Sequence, residues 1–349
     1  MEKKKVGEMK NKKNILSIIL LIGLIGVAIY YYNQNQSSSI AENPFTQFAI
    51  TDTSSVTKIF IADNQGNTAL LERPQQGRLW TLNKQYKARE DAVKNLLQVV
   101  NRIKVRGNVS SKSRDNMMKV LASSAKKVEL YTNGETEPSK IYYIGPNTQD
   151  HTGTIMLLEI PEEGKSPEPY ICHMEGFTGF LNPRFFAEEM EWRYTGIFDH
   201  PKLDIAKIEV QHSIPDYSFD VTYNGGNQIA LLHNKKSIEK FDSIKVKDFL
   251  LSFKKVHLES YRTFLKPSVE DSIRKMPPVV RINVYNTKGK KETVSLFLKR
   301  GKEGGVDANG IPTPWDAEYF WAMNDRGEIG LAQRYVFDPL TIPYQSFLK

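Results

Sequence analysis

Val56-Thr-Lys-Ile-Phe-Ile-Ala62 and, 149 residues later, Ile205-Ala-Lys-Ile-Glu-Val-Gln211 decide how the chain is read. Each alternates or runs apolar over one strand length and stops at a turn. Outward from this pair the match continues. Residues 68–72 and 217–223 read as the next strands, and 79–82 and 228–232 as the third. Val93, Leu96, Leu97, Val100 and Ile103 then fall on one helical face. Val246, Phe249, Leu250, Phe253 and Val256 repeat that spacing 153 residues on. Short helices are predicted over 113–121 and 268–276, with Ser113 and Ser268 as N-caps and acidic residues in the first turn. Lys127-Val-Glu-Leu-Tyr131 and Arg281-Ile-Asn-Val-Tyr285, 154 residues apart, enter hairpins at Asn133-Gly134 and Lys288-Gly289. Return strands read at 140–144 and 293–298, and further strands at 153–159, 170–174, 318–323 and 328–333. Landmarks in one order at a nearly constant offset predict two tandem modules. The helices are short and strands dominate. The expected fold class is therefore α+β, with an N-terminal transmembrane helix followed by two tandem repeated modules of mainly antiparallel sheet.

The chain has 349 residues, 40% of them hydrophobic and 25% charged, which is a globular composition. The net charge of +8 is unevenly spread. Lys3, Lys4, Lys5, Lys10, Lys12 and Lys13 against Glu2 and Glu8 put half of it in the first fourteen residues. A strongly basic nucleic-acid binder is thereby excluded. A single cysteine, Cys172, excludes an intrachain disulfide framework and a thiolate-rich zinc site.

Residues 15–32 read I-L-S-I-I-L-L-I-G-L-I-G-V-A-I-Y-Y-Y, with no charge. As a helix this is about 27 Å long, close to the hydrocarbon thickness of a bilayer. Tyr30, Tyr31 and Tyr32 stand where an interfacial aromatic belt belongs. Lysines precede the run, and no Lys or Arg occurs over 33–57. The positive-inside rule then places the N-terminus in the cytoplasm and the remainder outside. A cleaved signal peptide is the rival reading, with Ser39 and Ala41 as a weak cleavage pair, but its apolar run would be shorter. The expected organisation is a cytoplasmic basic tail (1–14), a single-pass transmembrane helix in the inner membrane (15–32), a tether (33–55), and modules at 56–195 and 196–349. The C-terminal body is expected in the periplasm.

Several further motifs carry a resemblance. They are Ile61-Ala-Asp63, Leu70-Leu-Glu-Arg73, Trp80, Tyr86-Lys-Ala88, Thr148-Gln-Asp-His-Thr-Gly-Thr154, Glu191-Trp-Arg193 and Tyr335-Val-Phe-Asp338. In this order they resemble the DUF4340 family in its Bacteroidota form, over nearly the whole chain. The resemblance implies an inner-membrane anchor and an envelope-facing body. It also suggests a partner among the auxiliary parts of gliding-type ABC transporters. It defines no catalytic residue.

Catalytic signatures are absent: no phosphate-binding glycine loop, nucleophile elbow or H-E-x-x-H occurs. No catalytic residue, cofactor or metal ligand is assigned. Asp150 and His151 could form an acid–base or binding pair, but an Asp-His-Thr-Gly stretch also makes a polar turn. Asp199-His200-Pro201 reads as a linker turn. Phe177, Phe180, Phe185 and Trp192, with Phe186, could line a groove for a ligand or partner. They could also pack the first module onto the second, and this is the favoured reading. Glu188, Glu189 and Glu191 read as a solvated face, and Cys172 as a strand residue. The functional expectation is a non-enzymatic extracytoplasmic protein that binds other envelope membrane proteins. The alternatives are a binding module for an envelope glycan or exported solute, and an enzyme with a site around Asp150 and His151.

Overall fold

The computed structural model describes residues 23, 25–27, 43–306 and 310–349. The basic tail, most of the apolar run and the tether as far as residue 42 lie outside these residues, and the transmembrane expectation lies there with them. Among the described residues no helix is long and apolar enough to cross a membrane. The chain divides into two compact units, one ending at Arg193 and the other spanning Tyr194–Lys349.

The first unit begins with β1 (Val56–Ala62), β2 (Thr68–Glu72), β3 (Thr81–Leu82) and β4 (Tyr86–Lys87). Helix α1 (Glu90–Arg102), strand β5 (Ile103–Asn108) and helix α2 (Ser111–Ser124) follow. The unit closes with β6 (Lys126–Thr132), β7 (Lys140–Asn147), β8 (Thr154–Ile160), β9 (Gly164–Lys165), β10 (Tyr170–Met174) and the single turn α3 (Glu189–Trp192). Its antiparallel sheet has the order β4-β3-β2-β1-β6-β7-β8-β10-β5, with β9 folded back on β8. One face carries α1, whose Val93, Leu96, Val99 and Val100 pack among Ile59, Leu71, Leu130 and Tyr142. The other face carries α2, held by Leu121 against Ile155 and Leu157. Strand β8 is thus covered on both faces, which is why it reads as an unbroken apolar run.

The second unit contains β11 (Gly196–Phe198), β12 (Ile205–His212), β13 (Phe219–Tyr223), β14 (Ile229–His233) and β15 (Lys236–Ser237). Helix α4 (Ser243–Leu251), strands β16 (Val256–His257) and β17 (Ser260–Tyr261), and helix α5 (Pro267–Lys275) come next. Strands β18 (Val280–Asn286), β19 (Lys291–Arg300), β20 (Trp315–Asn324) and β21 (Ile329–Gln333) and the turn α6 (Arg334–Phe337) complete it. The sheet order is β15-β14-β13-β12-β18-β19-β20-β21-β17, while β11 and β16 form a separate ladder.

Strand for strand this is the order of the first sheet, and the registers agree. Ile59 faces Leu130, which faces Lys140; Ile208 faces Val284, which faces Glu292. Even an irregularity recurs, between Val56 and Lys58 in one sheet and between Ile205 and Lys207 in the other. The fold is α+β, built of mainly antiparallel sheets with few helices.

Local details depart from expectation. Ser113 and Ser268 lie inside their helices, which start at Ser111 and at Pro267, where proline suits the first turn. Ile103, expected on the helical face, caps α1 and opens β5 with no intervening loop, and β5 is an edge strand that the sequence reading lacks. Leu97 is half-buried, and Val99 takes the core position instead.

Registers that match place different chemistry at one point. In the first unit the Lys140 ammonium donates to the carbonyls of Gln47 and Ala49 (2.8 Å to the latter), pinning the segment that leads into β1. In the second, Glu292 stands at the matching position and pins the lead-in of β12 through His200. His200 is 4% exposed, with Nδ1 3.0 Å from Asp204 and Nε2 3.0 Å from Glu292. Burial alone would lower its pKa, but the two carboxylates outweigh it and raise it. Both ring nitrogens face carboxylate oxygens, an arrangement that the doubly protonated ring satisfies best.

Candidate functional site: a cleft beneath the second helix

Helix α2 is fourteen residues long, yet Leu121 is its one buried residue. The Leu121 side chain lies over Gly145, where an added Cβ would come within 2.6 Å of it. Toward its N-terminus α2 stands off the sheet, leaving a cleft of about 750 Å³. Val109, Met117, Ile155 and Ile171 make an aliphatic floor, and Arg106, Ser110, Ser113 and residues 147–150 make a polar rim. This is the size of an ordinary small-ligand pocket.

The rim is set by two backbone devices. Register slips where β5 meets β10, with Ile171 facing Gly107 and Cys172 facing Val105. The extra residue is Arg106. Such bulges re-aim side chains, and Arg106 meets Asp150 (Nη1 to Oδ2, 3.2 Å) and the Thr152 hydroxyl. The second device is the 147–154 connection, where Asp150 Oδ1 accepts from the Thr152 amide at 3.2 Å and Oδ2 from its hydroxyl at 2.6 Å. Hydroxyl hydrogen bonds from Thr148 and Thr152 hold the Asp150 carboxyl down to about 2, so it is ionised at neutral pH.

His151 does not join Asp150 in a dyad. Its amide donates to the Thr148 carbonyl (3.1 Å), its backbone is left-handed (φ 57°), and its exposed ring lies edge-on to Phe180 at 5.4 Å. It closes a turn. We expect His151→Asn, which tolerates that φ, to shift the thermal midpoint by less than the equivalent of about 0.5 kcal/mol. A larger loss, or normal folding with loss of cellular function, would return His151 to the functional residues.

The aromatic candidates separate. Phe177 is half-buried beneath the Arg184 guanidinium, 4.4 Å from its ring centre, and Phe180 is half-buried beside His151. Phe185 and Trp192 have no exposed surface. They belong to the core of the first unit, so neither can line an open groove. Trp192 donates to the Phe186 carbonyl (3.0 Å) and accepts from the Arg89 amide (2.7 Å). Glu189 accepts from Asn83 at 2.7 Å. Cys172 is fully buried, which pushes its thiol pKa well up. Among the described residues no group of three His, Cys, Asp or Glu side chains is placed to hold a metal ion.

Family models, curated proteins and solved structures give no match to this chain. The internal comparison between its two units is therefore the informative one.

Across the first sheet, Ile155, Ile171 and Gly107 lie in one row beneath α2, with Gly145 beside Ile155 where the β7–β8 register shifts. The matching row of the second sheet reads Phe297, Trp321, Leu331 and Ser260. There Phe297 packs with Ile273 of α5, and Trp321 packs against the same cluster. At the cleft floor the first unit has Ile155 where the second has the Trp321 ring, while Leu121 covers Gly145 where the second unit has Phe297. Sequence reading missed this cleft: the expected return strands, 140–144 and 293–298, are one residue out of the register that Lys140 and Glu292 share.

Proposed function

We propose that this is a membrane-anchored, extracytoplasmic, non-enzymatic protein, an accessory or scaffold subunit of a cell-envelope complex such as a gliding-type ABC transporter. Membership of the DUF4340 family, a single pass over residues 15–32 with a cytoplasmic N-terminus, and two duplicated modules are parts of this proposal. The observation that carries it is one strand order used twice, with a cleft beneath the second helix of the first copy. A repeated framework with a single modified copy is economical for holding a partner in a fixed orientation, and such sites need no reacting group. The alternative of a glycan-binding module has weaker support, since Phe185 and Trp192 are buried and the cleft floor is aliphatic. The enzyme alternative has weaker support again, since the His151 ring points away to Phe180.

Orientation is tested by reporter fusions at Lys349. Alkaline phosphatase there is expected to be active and a cytoplasmic reporter silent; the reverse pattern sinks the localisation. Residue-specific photocrosslinking from Ser113 in intact cells is expected to trap an envelope protein. Crosslinks to lipid alone would remove the scaffold role.

A further inference from the structure

We infer that the cleft beneath α2 is a docking site for an extended peptide segment of the partner, one aliphatic side chain entering the cleft and its backbone amide meeting Arg106 and Asp150. This rests on the binding role proposed above and names the chemistry of its occupant.

Three observations converge. The floor is aliphatic, with Val109, Met117, Ile155 and Ile171 and no aromatic ring, so it suits a Leu- or Ile-like side chain rather than a stacked sugar. The mouth presents a donor and an acceptor side by side, the Arg106 guanidinium and the Asp150 carboxylate, 3.2 Å apart and both about half exposed. An anionic head would be repelled by Asp150 and a cationic one by Arg106. A neutral group that both accepts and donates, as a peptide unit does, satisfies the two together. The Nε and Nη2 donors of Arg106 make no hydrogen bond among the described residues, which leaves the guanidinium capacity for a carbonyl. The third observation is the row of matching residues. At the position of Ile155 on the cleft floor the second unit carries the larger Trp321 ring, packed into its own cluster, whereas the first unit keeps an aliphatic side chain beneath open space.

The full chain, in membrane vesicles, carries its own test. Cys172 is fully buried and does not compete for a maleimide, so Met117→Cys makes the cleft the reactive position. The peptide acetyl-Leu-Ala-Leu-Ala-amide is expected to slow labelling about five-fold when present at about four times its Kd. Octanoate, which has the aliphatic chain without the amide, and maltotriose should leave the rate unchanged. Arg106→Ala should abolish the protection while leaving labelling intact. Gly107→Leu should block both, since Gly107 lines the cleft and a Cβ there has no atom within 4 Å. Ile155→Trp, which copies Trp321, is the second filling variant should the first misfold. Protection by octanoate or maltotriose in place of the peptide would overturn the peptide assignment and leave a binding cleft. Labelling that no compound slows and no filling variant blocks would overturn the cleft as a site altogether, whatever the Ser113 crosslinks show.

Discussion

Leu96→Asp should unfold the first unit, and Leu250→Asp the second. Leu96 has no exposed surface on the inner face of α1, and Leu250 is 1% exposed on α4. An aspartate at either position must desolvate a carboxylate with no partner or expel its helix from the sheet. Either outcome costs more than about 4 kcal/mol, a large part of what holds a domain together. Leu97→Asp should cost far less, because Leu97 is half-buried and borders a cavity of about 440 Å³ with Trp80 and Lys94. Limited proteolysis of the purified full chain separates the cases. Leu96→Asp should open cleavage sites within 43–193, and Leu250→Asp within 194–349. If cleavage of the Leu96 variant is no faster than that of the Leu97 variant, α1 does not pack as described.

His200→Ala should lower the stability of the second unit by about 2 kcal/mol near pH 6, because it removes two charge-assisted hydrogen bonds and leaves Glu292 and Asp204 facing a gap. The pH dependence follows from the two shifts. The pKa of His200 is raised, so its contribution is complete below the ordinary imidazole value of about 6.5 and is lost as pH rises through the raised folded value. Burial would raise the pKa of Glu292, but hydrogen bonds from His200 and Lys290 prevail and lower it. Its contribution is present above the ordinary carboxylate range and is lost as pH falls through the depressed value. The stability difference between wild type and His200→Ala should therefore be largest in mildly acidic solution and shrink on both sides. Denaturant melts of the full chain from pH 4 to 9 measure it. A difference that grows toward alkaline pH would show that His200 is held neutral.

The strands were legible because their apolar spacing is local. Val93, Leu96 and Val100 declare the buried face of α1, and Val128 and Leu130 declare that of β6. The tight return at Asn133-Gly134 follows from a left-handed backbone that asparagine and glycine accept. What remained hidden depends on distant chain. His200 looks like a turn residue because Glu292 lies 92 positions away. Strand β17, only Ser260–Tyr261, is too short to show a period, and its strand state comes from pairing with β21. Strand β19 starts at Lys291, two residues before the expected Thr293, which brings Glu292 into register with Lys140. A slip of one residue there turns every side chain to the other face, so the row that exposes the cleft could not be aligned from pattern alone. The aromatic cluster shows the same limit: Phe185 and Trp192 read as packing residues, but nothing local shows that they belong to the core of the first unit.

The opposite charges at Lys140 and Glu292 bear on how such a chain reaches its native state. Two segments with one strand order invite exchange: β1 could nucleate on β18, or β12 on β6, as tandem units misassemble. In the first mistake the carbonyls of Gln47 and Ala49 would be brought against the Glu292 carboxylate. In the second, the His200 cation would be brought against the Lys140 ammonium. Each error sets like against like, while each correct pairing sets donor against acceptor. One strand position thus favours each unit's own pairing over exchange, within the strand order that the two units share.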